Sequence, residues 1–271
     1  EKWCLDGIAN RIAKISIDKL EQLRYCKKHK INHPKYFLID KLFNLNNINF
    51  YPGVLKPLQS SGSKDVIRIN SLTDLINLSK DLFLKYDNLL YEEYISGDEF
   101  SVEGFVIKGQ TKIIGITQKL KYPSKMFFVE SGHVFPANIS NTKKILINNF
   151  TSNLFRSFTD ITTPFHVEIK IDNNKIKIIE FALRLGGDFI TTKLIPNSCN
   201  LNPIEILCQL ILNNDFTFTI PKSFERVGIS FIDNQIKFEK IIEKNKFSNS
   251  SNSNNITSSF DRSNYTIGYL K

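Results

Sequence analysis

The segment FHVEIKIDNNKIKIIEF, at residues 165–181, constrains the fold more than any other stretch of this sequence. Two apolar-rich arms flank the polar tripeptide Asp172–Asn174, and such a turn between two strand-like runs predicts an antiparallel β-hairpin. With the turn centred on its two asparagines, Glu168 and Glu180 should be cross-strand neighbours. Two facing carboxylates repel each other unless a cation lies between them. The hairpin therefore predicts both a fold element and a cation site.

The identity of that cation has more than one solution. Mg²⁺ is a hard ion that takes carboxylate oxygens together with substrate phosphates, so Glu168 and Glu180 are predicted metal ligands, with Mn²⁺ as the alternative ion. Glu180 also lies in an apolar run, where an unpaired charge is costly to bury. An ion pair with Arg184, or a solvent-facing strand diluted by neighbouring lysines, would equally account for it. The pattern favours the metal, and these two explanations stay open.

The remaining chain mixes helices and strands without a strict βαβ rhythm, which predicts an α+β or mixed α/β fold. Asp18 and Ser71 are predicted N-caps of amphipathic helices over 18–30 and 71–84. Short strands and a polar mobile loop over 245–260 are expected in the tail. Further helices are predicted over 139–158, 188–195 and 202–213, strands over 51–57 and 88–95, a second hairpin over 99–120, and irregular structure over 121–138.

Composition and charge exclude several classes of function. The net charge of +9 comes from lysines spread along the chain rather than gathered in one block, which disfavours nucleic-acid binding and favours a small anionic ligand such as a nucleotide. No stretch approaches the roughly 20 apolar residues that span a bilayer, and the first ten residues do not resemble a signal peptide. The four cysteines lack CxxC spacing, so we expect reduced thiols and a cytoplasmic protein.

Two further stretches suggest nucleotide binding, although the familiar phosphate motifs GxxxxGK[ST] and GxGxxG are absent. Lys56 ends an apolar strand just before SSGSK, residues 60–64, where a lysine and loop amides can reach phosphate oxygens. An ordinary edge lysine before a turn is the alternative. The acidic stretch YEEYISGDEF, residues 91–100, can hold an adenine and a ribose, or it is a solvated charge run.

The order of these pieces resembles the ATP-grasp superfamily. The lysine strand, the small glycine loop, EEYISGDEFSVEGFV and the HVEIKI…IIEFALRLGGD hairpin are similar to carboxylate–amine ligases related to carbamoyl-phosphate synthase and biotin carboxylase, over roughly residues 18–215. The resemblance implies a nucleotide held between two α+β subdomains. The implied divisions are a helical lead-in with the remnant of a preceding α/β domain, itself expected to be absent (1–40), a small subdomain with the glycine loop (41–95), a large subdomain with the metal and substrate site (96–220), and a β extension (221–271).

The same resemblance implies the residues that hold ATP. Lys19 and Lys56 match nucleotide-binding lysines, and Glu99 matches the acceptor of the ribose hydroxyls. The phosphate-covering loop and the adenine hinge match longer sets. These are Ser60, Ser61, Gly62, Ser63 and Lys64 for the loop, and Glu92, Glu93, Tyr94 and Ile95 for the hinge.

The implied reaction centre lies around the hairpin. Glu168 and Glu180 match the magnesium carboxylates, and Arg184 matches an arginine that steadies an acyl phosphate. Ala182 stands where the family often has an asparagine ligand, which implies weaker metal occupancy. The substrate is expected against Gly186, Gly187 and Asp188, and His133 contacts a carboxylate, accepts a proton or packs a loop.

The resemblance thus implies an ATP-dependent ligase that forms an amide or peptide-like bond through an acyl phosphate and releases ADP and phosphate. Its cofactors would be ATP and Mg²⁺, and its partners a small carboxylate and an amine, with neither membrane nor nucleic acid and with the oligomeric state open. An ATP-binding pseudoenzyme or scaffold, and a carboxylase-like member that uses bicarbonate, are the alternatives.

Overall fold

The computed structural model describes residues 10–60, 62–121, 128, 130–213, 215–231, 247–252 and 265–270. Two antiparallel sheets organise these residues, and helices lie between and upon them. The predicted mixed α/β class is confirmed. None of the helices within the described ranges combines the length and apolar character needed to cross a bilayer.

The smaller sheet has four strands in the order β1-β4-β2-β3. Helix α3 (Leu72–Leu82) connects β3 to β4, and the Ser71 hydroxyl caps it by accepting a hydrogen bond from the Asp74 amide. Leu75 and Leu82 of this helix are buried in one cluster with Leu55 of the sheet. The strands are β1 Tyr36–Asp40, β2 Gly53–Pro57, β3 Ile67–Ile69 and β4 Asn88–Glu93.

The larger sheet has eight strands in the order β11-β12-β10-β7-β6-β5-β8-β9. Its strands β5 and β6 form the hairpin predicted over 99–120, and β8 and β9 form the hairpin around Asp172–Asn174. The strands are β5 Asp98–Ile107, β6 Gln110–Lys121, β7 Glu130–Phe135, β8 Thr163–Asp172, β9 Lys175–Ala182, β10 Val227–Phe231, β11 Phe247–Asn252 and β12 Tyr265–Leu270.

Helices cover the two faces of this larger sheet. One apolar cluster joins Phe155 of α4 to Val167 of the sheet, and another joins Ile206 of α6 to Phe135. Each face of the sheet therefore carries an apolar core, and the second cluster covers only part of its face. The helices are α1 Asn10–Ile17, α2 Lys19–Lys28, α4 Asn141–Phe155, α5 Ile195–Cys199 and α6 Pro203–Leu212, with a π-helical turn at Ile190–Leu194 ahead of α5 and a 3₁₀ turn at Leu45–Asn47.

Helix α2 contacts both sheets and so sets where they meet. Its predicted cap is confirmed, because the Asp18 carboxylate accepts hydrogen bonds from the first turn. Leu23 packs against Leu90 of the smaller sheet. On the other side, the buried Gln22 amide donates to the Phe181 carbonyl (2.8 Å) and accepts from the Phe181 N–H (3.0 Å). This two-way bond fixes the helix to strand β9.

Two expectations were wrong. Residues 121–138 were predicted to be irregular, yet Glu130–Phe135 forms β7 inside the larger sheet. Buried Glu130 and His133 hide the apolar alternation that identifies a strand. Part of the polar tract predicted as a loop, Phe247–Asn252, pairs with β12 as β11, because backbone hydrogen bonds hold a strand without apolar side chains. Residues 245–246 and 253–260 of that tract lie outside the described residues.

Candidate active site

A cleft lies between the two sheets, and concave surfaces of this kind are where proteins bind small molecules. Both sheets and the end of α2 supply its walls. Twelve of the residues singled out in the sequence line it: Lys19, Lys56, Ser60, Gly62, Ser63, Glu92, Glu93, Tyr94, Ile95, Glu99, Glu168 and Glu180. The predicted nucleotide and metal residues, separated by up to 161 positions in the sequence, thus converge on one space.

A buried ion pair forms the wall contributed by the smaller sheet. The Lys56 ammonium on β2 lies 2.8 Å from Glu92 Oε2 on β4, and both side chains are almost wholly buried. Burial raises the pKa of Glu92, and the Lys56 charge opposes that rise. Glu92 Oε1 is buried and has no hydrogen-bond partner among the described residues. A buried acceptor of this kind costs free energy until a donor reaches it.

Lys19 contacts both walls of the cleft. Its ammonium donates to the Ser60 carbonyl at 2.8 Å, next to the glycine loop. The same ammonium lies 3.3 Å from Glu180 Oε2 on the larger sheet. The N-terminal end of α2 therefore places one positive charge where the two sheets face each other.

Basic side chains contact the end of β4 and the segment that connects it to β5. Lys177 lies 2.8 Å from both carboxylate oxygens of Glu93, so that side chain is already paired. Lys170 donates to the Ile95 carbonyl at 2.8 Å. The Arg68 guanidinium lies 4.2 Å from the centre of the Tyr94 ring. The Glu93 carboxylate and the Ile95 carbonyl are therefore both paired with lysines.

On the larger sheet's side of the cleft, the Glu99 carboxylate is surrounded by three lysines. Lys121 lies 2.5 Å from its Oε2, and Lys119 and Lys170 lie 3.7 and 3.9 Å from its carboxylate. The carboxylate is buried, and these cations offset the cost of burying it.

Glu168 lies at the centre of a buried chain of alternating charges. Its Oε1 is 2.5 Å from the Lys119 ammonium and 3.1 Å from His166 Nε2. Lys119 continues to Glu130 Oε1 at 2.7 Å, and His166 Nδ1 continues to Glu103 Oε1 at 2.7 Å. Burial lowers the pKa of His166, but Glu103 and Glu168 more than reverse this and raise it to about 10. His166 is therefore an imidazolium near neutral pH.

Glu168 and Glu180 are directly opposite each other in the hairpin, which confirms the predicted register. A lysine lies beside each carboxylate, Lys119 for Glu168 and Lys19 for Glu180. In the part of the chain that the structure describes, neither Glu168 Oε2 nor Glu180 Oε1 accepts a hydrogen bond. Two uncommitted carboxylate oxygens at one cleft are the donor set that Mg²⁺ accepts.

Sequence comparison identifies the family. A model of the ATP-grasp domain matches residues 49–192, which is more than half of the chain. The chain belongs to the ATP-grasp family.

The chain is similar to two curated proteins and one solved structure that carry the name ligase. The D-alanine–D-alanine ligase of Flavobacterium psychrophilum is 32% identical over 39% of this chain and 34% of its own length. That of Anaplasma marginale (strain Florida) is 26% identical over 74% of this chain and 63% of its own length. The crystal structure of the L-amino acid ligase from Bacillus licheniformis superposes with a TM-score of 0.77 at 17% identity, covering 98% of this chain and 69% of that one. The chain thus spans less than two thirds of the curated relatives' length.

Several predicted residues of this ATP-grasp chain do not line the cleft. The Arg184 side chain is exposed, and its guanidinium donates to the Leu185 carbonyl at 3.0 Å. Lys64 is also outside the set of described lining residues, and Ser61 lies outside the described residues. His133 is completely buried on β7 with its ring edge-on to Phe231, so it belongs to a strand rather than to a loop.

A second group gathers beside the cleft. Glu130, His133 and Asp188 each offer a ligand atom, and these atoms lie within 4.8 Å of one another. It is the one trio of metal-ligating residues of this kind within the described ranges, and it does not include Glu168 or Glu180. The structure thus brings His133 and Asp188, both predicted at the substrate, together.

The sequence analysis did not identify the residues that hydrogen-bond to or pair with the predicted metal ligand Glu168. His166, Glu168 and Lys170 alternate along β8, so the period of two that identifies a strand face places all three on the same side. That signal was present in the sequence. The partners Lys119 and Glu103 carry no such signal, because they reach Glu168 and His166 only through the pairing of β5 with its neighbours.

Proposed function

We propose that this chain is an ATP-dependent ligase that joins a small carboxylate to an amine and releases ADP and phosphate. The observation that carries the proposal is the convergence of Lys19, Lys56, Glu92, Glu168 and Glu180 on one cleft between two sheets. The curated relatives and the structural neighbour named above are ligases of amino acids by their printed names. The proposal includes a cytoplasmic location and the divisions of the chain at residues 40, 95 and 220.

The cleft suits a nucleotide from end to end. Glu92 Oε1 is a buried acceptor without a donor among the described residues, and an adenine amino group would supply one. In this assignment, backbone groups of Glu93 and Ile95 would contact the adenine ring beside Tyr94. In this assignment, Glu99 would accept hydrogen bonds from the ribose hydroxyls. Lys19, Lys56 and the loop 60–64 lie on the phosphate side in this assignment.

Glu168 and Glu180 fit a divalent cation, since each has one carboxylate oxygen that accepts no hydrogen bond within the described part of the chain. Bound Mg²⁺ would neutralise charge on the phosphates of ATP. The methyl group of Ala182 offers no ligand atom. The two glutamates therefore hold the ion without help from that position.

The proposed chemistry has two steps. A carboxylate oxygen attacks the γ-phosphorus, and the bond between that phosphorus and the β–γ bridging oxygen breaks. The products of this step are an acyl phosphate and ADP. The amine then attacks the acyl carbon, phosphate leaves, and the amine loses a proton. Such a transfer depends on positioning and charge neutralisation, which Lys56 and Lys19 supply from this chain, while loop 60–64 excludes water.

Arg184, Gly186, Gly187, Asp188 and His133 make up the substrate end in this proposal. Arg184 must turn from the Leu185 carbonyl toward the cleft to steady the acyl phosphate. His133 acts through the group that it forms with Glu130 and Asp188.

The test is phosphate release from Mg·ATP with pools of amino acids, other carboxylates and amines. We expect release only when a carboxylate and an amine are both present, and we expect Glu180→Gln to lower kcat by about 100-fold or more. Glu205→Gln, a surface change on α6, is the matched control and should leave the rate unchanged. Nucleotide binding without release from any pair would identify an ATP-binding pseudoenzyme instead, and release dependent on bicarbonate alone would identify a carboxylase-like enzyme.

A further inference from the structure

We propose that Glu103 and His166 are positioning residues that hold the Glu168 carboxylate in the orientation required for a divalent cation. Because the two residues lie against the backbone at Gly186, a movement of that segment would also change the orientation of the Glu168 carboxylate. This inference rests on the proposed function, since it concerns the metal side of the same cleft. Neither residue lines the cleft among those described, so both act through Glu168.

The geometry of His166 allows little freedom. Its Nδ1 lies 2.7 Å from Glu103 Oε1 and its Nε2 lies 3.1 Å from Glu168 Oε1. Carboxylates only accept hydrogen bonds, so both ring nitrogens donate and the ring is fixed at both ends. His166 and Glu103 are buried, at 6% and 3% exposure, which shields these bonds from water.

The consequence for Glu168 is that its two oxygens become unequal. Oε1 receives hydrogen bonds from both His166 and Lys119. Within the described residues, Oε2 receives none, and Glu168 borders the cleft. Metal-binding carboxylates are commonly oriented by such hydrogen bonds from behind, and loss of the supporting residue weakens metal binding.

Glu103 and His166 also lie against the predicted substrate segment at Gly186. A Cβ atom at Gly186 would lie 2.5 Å from Glu103 Oε2 and 3.0 Å from His166 Nδ1. The Gly186 carbonyl is itself fixed by the Thr191 hydroxyl at 2.7 Å. A glycine at this position lets the Glu103–His166 pair lie against the backbone, so a displacement of the segment displaces the pair.

Mn²⁺ affinity tests the inference without relying on turnover. Free Mn²⁺ is measured by electron paramagnetic resonance during titration of the full chain with a non-hydrolysable ATP analogue present. Glu168→Gln is the reference and should weaken binding. We expect His166→Ala to weaken Mn²⁺ binding by about 10- to 100-fold, and Gly186→Ala to weaken it in the same direction.

Two conservative variants separate positioning from a merely structural role. His166→Gln places an amide donor where Nε2 lies and keeps the bond to Glu168, whereas His166→Asn places it near Nδ1 and keeps only the bond to Glu103. We expect His166→Gln to retain more affinity than His166→Asn. Tyr25→Phe is the control. It removes a buried hydroxyl that donates to the Leu154 carbonyl (2.6 Å) in the core on the opposite face of the sheet from Glu168, and it should lower stability without changing Mn²⁺ affinity.

The outcomes are distinguishable. If Glu168→Gln weakens Mn²⁺ binding and the His166 variants match the wild type, or if His166→Gln and His166→Asn lose affinity equally, the positioning role is overturned while the proposed function stands. If the wild type binds neither Mn²⁺ nor the nucleotide analogue, or if Glu168→Gln has no effect, the proposed function fails and this inference fails with it.

Discussion

The Lys56–Glu92 pair shows how a residue of the candidate site also carries the stability of the fold. Both side chains are nearly inaccessible and 2.8 Å apart. We expect Lys56→Met to lower the free energy of unfolding by about 3–5 kcal/mol, because it leaves a buried carboxylate without its cation. Urea denaturation followed by circular dichroism measures the loss.

The pH dependence of that variant has a definite sign. Burial already raises the pKa of Glu92, and removal of Lys56 removes the charge that opposes the rise. A carboxyl whose pKa is raised in the folded state stabilises the fold at low pH and loses that contribution as pH rises toward the folded pKa. The deficit should therefore be larger at pH 8 than at pH 5. The double variant Lys56→Met with Glu92→Leu should recover most of it, and strict additivity of the two single changes would contradict the pairing.

The sequence predicted those residues whose chemistry is visible locally. Glu168 and Glu180 were found because a short turn fixes their register, and Lys56 because it ends an apolar strand. Arg184 was placed by resemblance alone, and its side chain bonds to the neighbouring backbone. Glu103 and Lys119 were missed because nothing in their neighbourhood indicates which strand will lie beside them. Their function follows from pairing across the sheet, which a single sequence does not encode locally.

At the scale of elements, predictability followed how local the stabilising contacts are. The β8–β9 hairpin and the capped helices α2 and α3 depend on neighbours within a few residues, and all were predicted. Strand β7 was not, because its polar residues Glu130 and His133 are buried through contacts with Lys119 and Phe231 from other strands. Local patterns thus predicted the hairpin that carries Glu168 and Glu180, whereas β7 depends on side chains from other strands.

The bond between α2 and β9 gives the prediction at this scale. Gln22→Leu removes both hydrogen bonds to the Phe181 backbone and leaves a buried N–H and carbonyl unpaired. At roughly 1–3 kcal/mol for each buried unpaired group, we expect a loss of about 3 kcal/mol in the free energy of unfolding. Hydrogen exchange at the Phe181 amide should accelerate as well. Arg24→Gln breaks an exposed pair with Glu21 on the same helix and should change stability by less than about 1 kcal/mol. An equal loss of stability from both variants would show that the hydrogen bonds between Gln22 and the Phe181 backbone contribute no more than the exposed ion pair.

On the scale of the whole molecule, the cleft belongs to neither sheet alone. Lys56 and Glu92 come from the smaller sheet, Glu168 and Glu180 from the larger one, and Lys19 contacts both through the Ser60 carbonyl and Glu180. A ligand that fills this space therefore adds contacts across the boundary between the two sheets. Binding should consequently stabilise the molecule as one unit rather than one sheet at a time.

Thermal unfolding with a magnesium complex of a non-hydrolysable ATP analogue tests this coupling. At about 100 times the dissociation constant, linkage gives about 2.7 kcal/mol, which for a chain of this size corresponds to a rise in Tm of about 5 °C. Lys19→Met should reduce that rise at the same ligand concentration, because the cation that faces both walls is lost. Lys14→Met removes the same charge from an exposed position on α1 and should leave the rise intact. If both variants respond like the wild type, Lys19 is not part of the shared wall; if hydrogen exchange slows in only one sheet, the ligand does not bridge the two.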